Sequence, residues 1–260
     1  MTRLFVLLLS LISGLAYSAP ESDLWPFWNK SNEQNSQTVS HQKWQSFLDT
    51  YLVQQNENTL VNYKSVTTQD KQSLESYISD LAALNPKSLN KAEQYAYWVN
   101  LYNALTVDLI LDNYPVSSIT KLGGFFSFGP WGQEIIDIEG KTLTLNDIEH
   151  RILRPIWNDP RTHYAVNCAS LGCPNLQSSA FTAKNYNQLL DKAASEFINA
   201  QKGVSVNGGK TQLSSIYDWF AVDFGGETEV INHLKKYRDD LPASLGKVSF
   251  DYDWSLNETK

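Results

Sequence analysis

The chain is short of charge, of cysteine and of long apolar runs. Charged residues make up 19% of its 260 positions, 21 basic against 28 acidic, for a formal net charge of −7. Lysine and arginine cluster nowhere, so the electrostatic footprint of a nucleic-acid binder or of a protein held on anionic membranes is missing. There are two cysteines, Cys168 and Cys173, and no CxxC pair, which removes the familiar zinc spacings. A glycine-rich phosphate loop and a serine nucleophile elbow are also missing, which removes P-loop nucleotide chemistry and the serine hydrolase signature. No internal repeat is visible, which argues against a solenoid. The longest apolar run, Leu4 to Ala16, has 13 residues. A bilayer span needs roughly 20, so no membrane span is expected.

What is present at the N-terminus reads as an export signal. Arg3 supplies the basic end, Leu4 to Ala16 the apolar centre, and Ala16-Tyr17-Ser18 the small residues before a cut. We read residues 1–18 as a signal peptide and expect a periplasmic or secreted protein. Its removal leaves 242 residues and takes the formal charge to −8. No cysteine follows the cut, so a lipoprotein anchor is not supported. Residues 19–40, polar and without periodicity from Asn29 on, read as a flexible leader.

Apolar periodicity then marks helices. Ser40 is placed to cap a stripe of Trp44, Phe47, Leu48, Tyr51 and Leu52, and Leu74, Tyr77, Ile78 and Leu81 make a second stripe. The clearest helix starts at Asn90 with Glu93 three residues on, runs through Tyr95, Trp98, Val99, Tyr102, Leu105, Leu109 and Ile110, and stops at Pro115. It is apolar on most sides, so it is central and buried. Asn100 and Asn103 on it are then buried amides, which must find partners by bracing a neighbouring loop or facing a cleft. A loop of alternating glycines and aromatics, Gly123 to Gly132, either packs on the core or lines a pocket. Ile135–Ile138 and Thr142–Leu145 form a hairpin, followed by a helix with Thr144 and Asp147 as cap and third residue. Thr162 to Val166 reads as a strand, Ala183 to Asn199 as a helix, and Val204–Val206 with Thr211–Leu213 as a hairpin through Asn207-Gly208-Gly209. Ser214–Phe220 and Glu227–Tyr237 look helical, and Val248–Tyr252 looks like a last strand. The expectation is an α+β fold: a mainly helical single domain over residues 41–257 with small antiparallel hairpins.

Reactive side chains gather in His163-Tyr164-Ala165-Val166-Asn167-Cys168-Ala169-Ser170-Leu171-Gly172-Cys173-Pro174, with Glu149 and His150 upstream. Three readings stand. Cys168 and Cys173 can close a small disulfide loop, as an exported chain favours, adding roughly 2 kcal/mol. One cysteine can instead be a nucleophile, with His163 or His150 as base and Glu149 or Asp147 to orient it. On a regular strand His163 and Cys168 point to opposite faces, which counts against that pairing. The third reading is a metal site from His150, His163, Cys168 and Cys173, whose donors suit zinc but whose spacing matches no zinc pattern. His41 and His233 read as solvated surface residues. Asp218, Asp223 and Asp251 read as loop carboxylates beside aromatics, and Asp108 with Asp112 is not read as a second carboxylate site.

Five motifs in order resemble the domain of unknown function 547 family: Tyr97-Trp98-Val99-Asn100-Leu101-Tyr102-Asn103, Leu145 to Arg154, His163 to Pro174, Leu213 to Phe220 with Asp223-Phe224-Gly225, and Tyr252-Asp253-Trp254-Ser255-Leu256-Asn257. The resemblance covers roughly Asn62 to Asn257. It implies Glu149, His150, His163, Cys168 and Cys173 as the positions to watch, and all five are present. It brings no established activity. Related domains in intracellular plant proteins with a similar cysteine pair imply that a structural disulfide alone is an incomplete account. Two functions follow as expectations. One is a non-catalytic envelope protein with a Cys168–Cys173 disulfide, binding a small molecule, peptide or envelope protein. The other is a cysteine-dependent hydrolase or acyltransferase acting on amide bonds in the cell envelope. Neither calls for a cofactor.

Overall fold

Asn90 accepts a hydrogen bond from the Glu93 N–H at 2.9 Å and so satisfies one of the free donors at the start of the longest helix. That helix, α3, is Lys91–Asp112, and its buried residues occupy every side of it from Glu93 to Val107. The computed structural model describes residues 20–124, 128–242 and 245–260. Before α3 come α1 (Gln42–Tyr51), the hairpin β1 (Leu52–Gln55) and β2 (Asn58–Val61), and α2 (Thr68–Ala82). Thr67 caps α2 by accepting the Asp70 N–H, whereas Ser40 does not cap α1, which starts after His41 without a side-chain bond. Leu52, expected at the end of the α1 stripe, opens β1 instead.

Downstream lie the hairpin β3 (Ile136–Ile138) and β4 (Lys141–Leu143), a π-helix (Asp147–Leu153), and the short helices α4 (Arg154–Trp157) and α5 (Thr162–Ala165). Then come α6 (Tyr186–Asn199), the hairpin β5 (Val204–Asn207) and β6 (Lys210–Ser214), α7 (Ile216–Trp219), α8 (Val230–Leu234) and β7 (Val248–Asp251). β7 pairs parallel to β6, so the three-stranded sheet is mixed. The fold is α+β and helix-rich.

Two clusters of buried side chains meet along α6. The larger packs around α3 and takes Leu189 and Leu190, while the smaller gathers Tyr164, Phe197, Tyr217 and Leu234 with Ala193, Ala194 and Ile198. Each large apolar side chain so buried contributes roughly 1.5–3 kcal/mol.

Several expectations change here. The signal peptide and most of the Gly123–Gly132 loop's centre, residues 125–127, fall outside the described residues. Residues 20–40 are not a flexible leader. Trp28 is fully buried against Trp98, and the polar stretch bonds to fixed groups: Asn32 N–H to Leu89 O, Asn35 Nδ2 to Ser88 O, Gln94 Nε2 to Lys30 O, and Val39 N–H to Glu93 Oε1. These bonds pin a stretch whose polar side chains remain mostly exposed. His41 and His233 are buried, bonded to Tyr77 and Tyr164. Asp108 and Asp112 meet Glu75 of α2, with Lys71 bridging Glu75 and Asp112.

Candidate functional site

Asn100 and Asn103 brace two loops, as buried amides must. Asn100 donates to Phe181 O at 2.8 Å and accepts the Phe181 N–H at 3.0 Å. Asn103 donates to Ala165 O at 2.9 Å and accepts the Asn167 N–H at 2.8 Å. The second clamp fixes the chain between His163 and Cys168. Thr162–Ala165 is a helical turn and not the expected strand. Asp159 O accepts the Thr162 N–H, and the chain becomes extended only at Val166. The geometric objection to His163 and Cys168 serving one site therefore lapses.

The cysteine loop is held by its own turn and by the C-terminal segment. Cys173 N–H donates to Ser170 O, while Leu171 and Gly172 donate to Ser255 O and Asp253 O. Ala169 is fully buried and holds φ at 56°, a left-handed conformation that an alanine adopts at a cost of about 1–2 kcal/mol. Cys168 and Cys173 are both free thiols, so the expected disulfide is absent from this structure. They lie side by side. The Cys168 N–H donates to Cys173 Sγ at 2.9 Å, and Cys168 Sγ sits 3.0 Å from the Tyr252 hydroxyl and 3.1 Å from Ser170 Oγ.

All five candidate residues, Glu149, His150, His163, Cys168 and Cys173, line one cavity of about 440 Å³ between the two cores. The capping box expected at Thr144 and Asp147 forms, with Asp147 N–H to Thr144 Oγ1 at 3.0 Å and Thr144 N–H to Asp147 Oδ2 at 2.9 Å. The π-helix it starts is closed by Arg154 N–H to Glu149 O, five residues back. Such wide turns concentrate at functional sites. Here one turn brings Glu149 and His150 to the cavity and sets Arg154 against His150.

A chain of polar contacts ties the two lining histidines together. Asp223 Oδ2 lies 2.6 Å from Arg154 Nε and 2.7 Å from His163 Nε2. Arg154 also donates to His150 Nδ1 at 3.0 Å and to Pro20 O at 2.8 Å. Arginine has donors only, so His150 Nδ1 accepts and its proton sits on Nε2. His163 donates from Nε2 to the carboxylate, which leaves Nδ1 as the basic atom, 3.8 Å from Glu149 Oε1. Burial lowers His150 to about 4 against the pull of Glu149, so it is neutral at pH 7. Burial pushes Asp223 up, but the hydrogen bonds from His163 and Arg154 prevail and hold it well below the usual carboxylate range.

The thiols divide by environment. Burial first, then the adjacent Cys173, raises Cys168. Burial also pulls Cys173 upward, yet the Cys168 thiol, the Tyr252 hydroxyl, the Cys168 N–H and the Lys202 ammonium together bring it below its ordinary value. A sulfur that accepts a backbone N–H is the one whose thiolate is favoured. The rest of the lining is largely aromatic: Phe128 and Trp131 from the glycine–aromatic loop, with Trp219, Phe220, Tyr252 and Trp254. Phe220 stacks on His163 at 4.2 Å and fixes its ring plane.

Asp223, Arg154 and Tyr252 were not among the expected site residues. Asp223 comes three residues after the Trp219-Phe220 pair, a weak signal, and nothing in its spacing ties it to His163.

Residues 86–198 match a family described as "Protein of unknown function, DUF547". This segment is a DUF547 domain. It carries α3, the π-helix, His163 and both cysteines and ends in α6, while Asp223, Trp219, Tyr252 and Trp254 lie beyond the matched span. No curated protein and no solved structure matches the chain. Among the described residues no helix is long and apolar enough to cross a membrane.

Proposed function

We propose that this chain is an exported, cysteine-dependent acyl-transfer enzyme, a hydrolase or acyltransferase of amide bonds in the cell envelope, with Cys173 as nucleophile. What carries it is the convergence of two free thiols and an aspartate-oriented histidine on one cavity walled by aromatics. A nucleophile, a base and a group that orients the base are the parts such chemistry needs. The export signal at residues 1–18 supports the envelope as its place of work.

The Cys173 thiolate attacks the amide carbonyl carbon, and the carbonyl electron pair moves to oxygen. His163 Nδ1 has taken up the proton that the Cys173 thiol gave up, and the amide C–N bond breaks as this proton passes to the departing amine. This leaves an acyl thioester on Cys173. His163 Nδ1 next takes a proton from water or from an acceptor amine, which attacks the thioester carbon. The C–S bond breaks, and the thiolate and the acyl product are released. Asp223 holds the imidazole throughout, and the His150 Nε2–H is a donor for the carbonyl oxygen.

The test is peptide-mapped mass spectrometry of the exported chain after brief exposure to an activated ester, p-nitrophenyl acetate, with iodoacetamide in parallel. The expected result is an acetyl adduct on Cys173 and rapid alkylation of the same sulfur near pH 6.5. Sulfurs that prove linked, or that take neither label, overturn the proposal. One observation favours a second reading, a binding protein for an apolar-faced ligand: neither histidine is hydrogen-bonded to either sulfur. Intact, unreactive thiols together with tryptophan fluorescence quenched by a ligand would favour it.

A further inference from the structure

Behind the cysteine loop a second and tightly packed recess shares Cys173 and Pro174 with the main cavity and is lined otherwise mainly by polar residues, among them Asn58, Thr59, Asn175 and Lys202. Lys202 Nζ donates to Asn175 Oδ1 at 2.9 Å. Asn175 is itself fixed, accepting the Thr59 N–H at 3.2 Å and donating to Glu57 O at 2.8 Å. The amide thus holds the ammonium in place.

Among the described residues no carboxylate lies within ion-pair distance of Lys202. The two acids whose charge reaches it have partners of their own. Glu57 Oε2 accepts the Gln201 N–H at 3.0 Å, and Glu196 pairs with Lys192 at 2.6 Å. Burying an ammonium without an anion is costly, so the fold must offer one or keep the lysine neutral. Burial does press the Lys202 ammonium down to about 8, and the group that resists most is Cys173, ahead of Glu57, Cys168 and Glu196. The groups facing Cys173 itself are the Cys168 thiol, the Tyr252, Tyr102 and Tyr63 hydroxyls, and Lys202. Lys202 is the one cation among them.

We propose that Lys202 is a positioning residue that holds Cys173 as a thiolate from behind the cysteine loop. The ammonium and the sulfur form an ion pair through the wall of the cavity. The sulfur's remaining lone pairs are left facing the polar wall of Glu149, His150 and His163. This division of labour explains why no histidine touches the sulfur: the charge that stabilises the thiolate comes from the far side, and His163 is left to move protons at the substrate. The inference rests on the acyl-transfer reading only in using the same sulfur.

The experiment is the pH profile of Cys173 alkylation by iodoacetamide, followed by peptide mapping, in the full exported chain and in Lys202→Met and Lys202→Arg. Lys202→Met is expected to move the midpoint up by about one unit, so that alkylation near pH 6.5 slows roughly tenfold. Lys202→Arg is expected to restore most of that loss. If Lys202→Met does not fold, Lys202→Gln takes its place, and Asn175→Ala, which frees the ammonium, is expected to shift the midpoint in the same direction. A folded Lys202→Met or Lys202→Gln with the parent midpoint overturns the proposal, and so does an ordinary alkaline midpoint in the parent. A low parent midpoint that rises in Lys202→Met, with no acetyl adduct from the ester, sinks acyl transfer and leaves the role of Lys202 standing.

Discussion

Asp223 accepts a hydrogen bond from His163 at 2.7 Å although the two residues stand sixty positions apart. The contact ties the DUF547 domain to the chain beyond it, because Asp223 lies after the matched span and His163 within it. The same carboxylate neutralises Arg154, whose side chain is 3% exposed. One aspartate therefore serves as counter-ion for a buried guanidinium and as the orienting group of an imidazole.

Asp223→Ala is expected to cost about 3–5 kcal/mol, because it strands the Arg154 charge in the interior. Asp223→Asn keeps one acceptor and should cost distinctly less. Urea unfolding of the two variants measures this, and a loss under about 1 kcal/mol for the alanine variant would refute the account. In the acyl-transfer reading Asp223→Asn also slows turnover about 10²-fold or more while Cys173 still alkylates, since the base loses its orientation and the nucleophile does not.

Asn103 decides the path of the chain from His163 to Cys168, and its loss should be felt at the thiols. Asn103→Leu leaves the Ala165 carbonyl and the Asn167 N–H without their partner. A cost of about 2–4 kcal/mol is expected, with altered alkylation of Cys173. Asn100→Leu removes an equivalent clamp on Phe181 and should destabilise similarly, with alkylation unchanged. Equal effects of the two variants on the thiols would contradict this assignment.

How far the sequence disclosed this arrangement follows from how local each signal is. The Asn90 cap, the stripe of α3 and the demand that Asn100 and Asn103 be paired rest on neighbours within a turn or two, and they were legible. The hairpins at Glu139-Gly140 and Gly208-Gly209 were legible because those residues hold positive φ. The turn at Thr162–Ala165 was misread, since Thr, Tyr and Val favour strands and only the distant Asn103 and the preceding Asp159-Pro160 enforce a helix. The leader was misread because the Asn32 N–H and the Asn35 side chain find the backbone carbonyls of Leu89 and Ser88, partners that no periodicity reveals. Asp223 went unseen as a site residue for the same reason: its meaning comes from a contact across sixty residues.

Acid should weaken the fold through three buried histidines. Burial lowers His41, His150 and His233 each to about 4, below the ordinary 6.5. The native state refuses a proton that the unfolded chain accepts. The stability this represents is complete above about pH 6.5 and is lost as pH falls towards 4, on the order of 2 kcal/mol for each residue. The urea midpoint measured from pH 7.5 down to 4.5 should fall accordingly. His41→Gln should make that fall shallower, and an unchanged slope would remove His41 from the account.

Asp108 has the opposite sign. Burial first, and Asp112 next, push its carboxyl up to about 6, and its Oδ1 atom is buried without a partner. An acid whose folded value is raised is better tolerated protonated, so its ionisation destabilises the native state as pH rises from about 4 through 6. Asp108→Asn should therefore stabilise the protein at pH 7 by about 1 kcal/mol, with the advantage disappearing near pH 4. Thermal unfolding at the two values checks both the gain and its loss.

Gly172 is the point at which the cysteine loop meets the C-terminal segment. A Cβ there would lie 2.8 Å from Asp253 N and 3.0 Å from both Asp253 O and the Tyr252 ring. Two of those atoms are backbone, and the Gly172 N–H to Asp253 O bond crosses the same gap, so neither strand can give way cheaply. Gly172→Ala should thus push Tyr252 and Trp254 away from the loop. Tyr252 then leaves the Cys168 sulfur, and Trp254 leaves its edge contact with Trp131 at 5.7 Å. The expected outcome is a cost of about 1–3 kcal/mol from overpacking together with a shift in tryptophan fluorescence. Because the Tyr252 hydroxyl helps keep Cys173 ionised, alkylation near pH 6.5 should also slow, whereas Gly140→Ala, at a turn with open space around it, should leave the thiols untouched. Parent-like alkylation in Gly172→Ala would mean that the C-terminal segment covers the cysteine pair without tuning it.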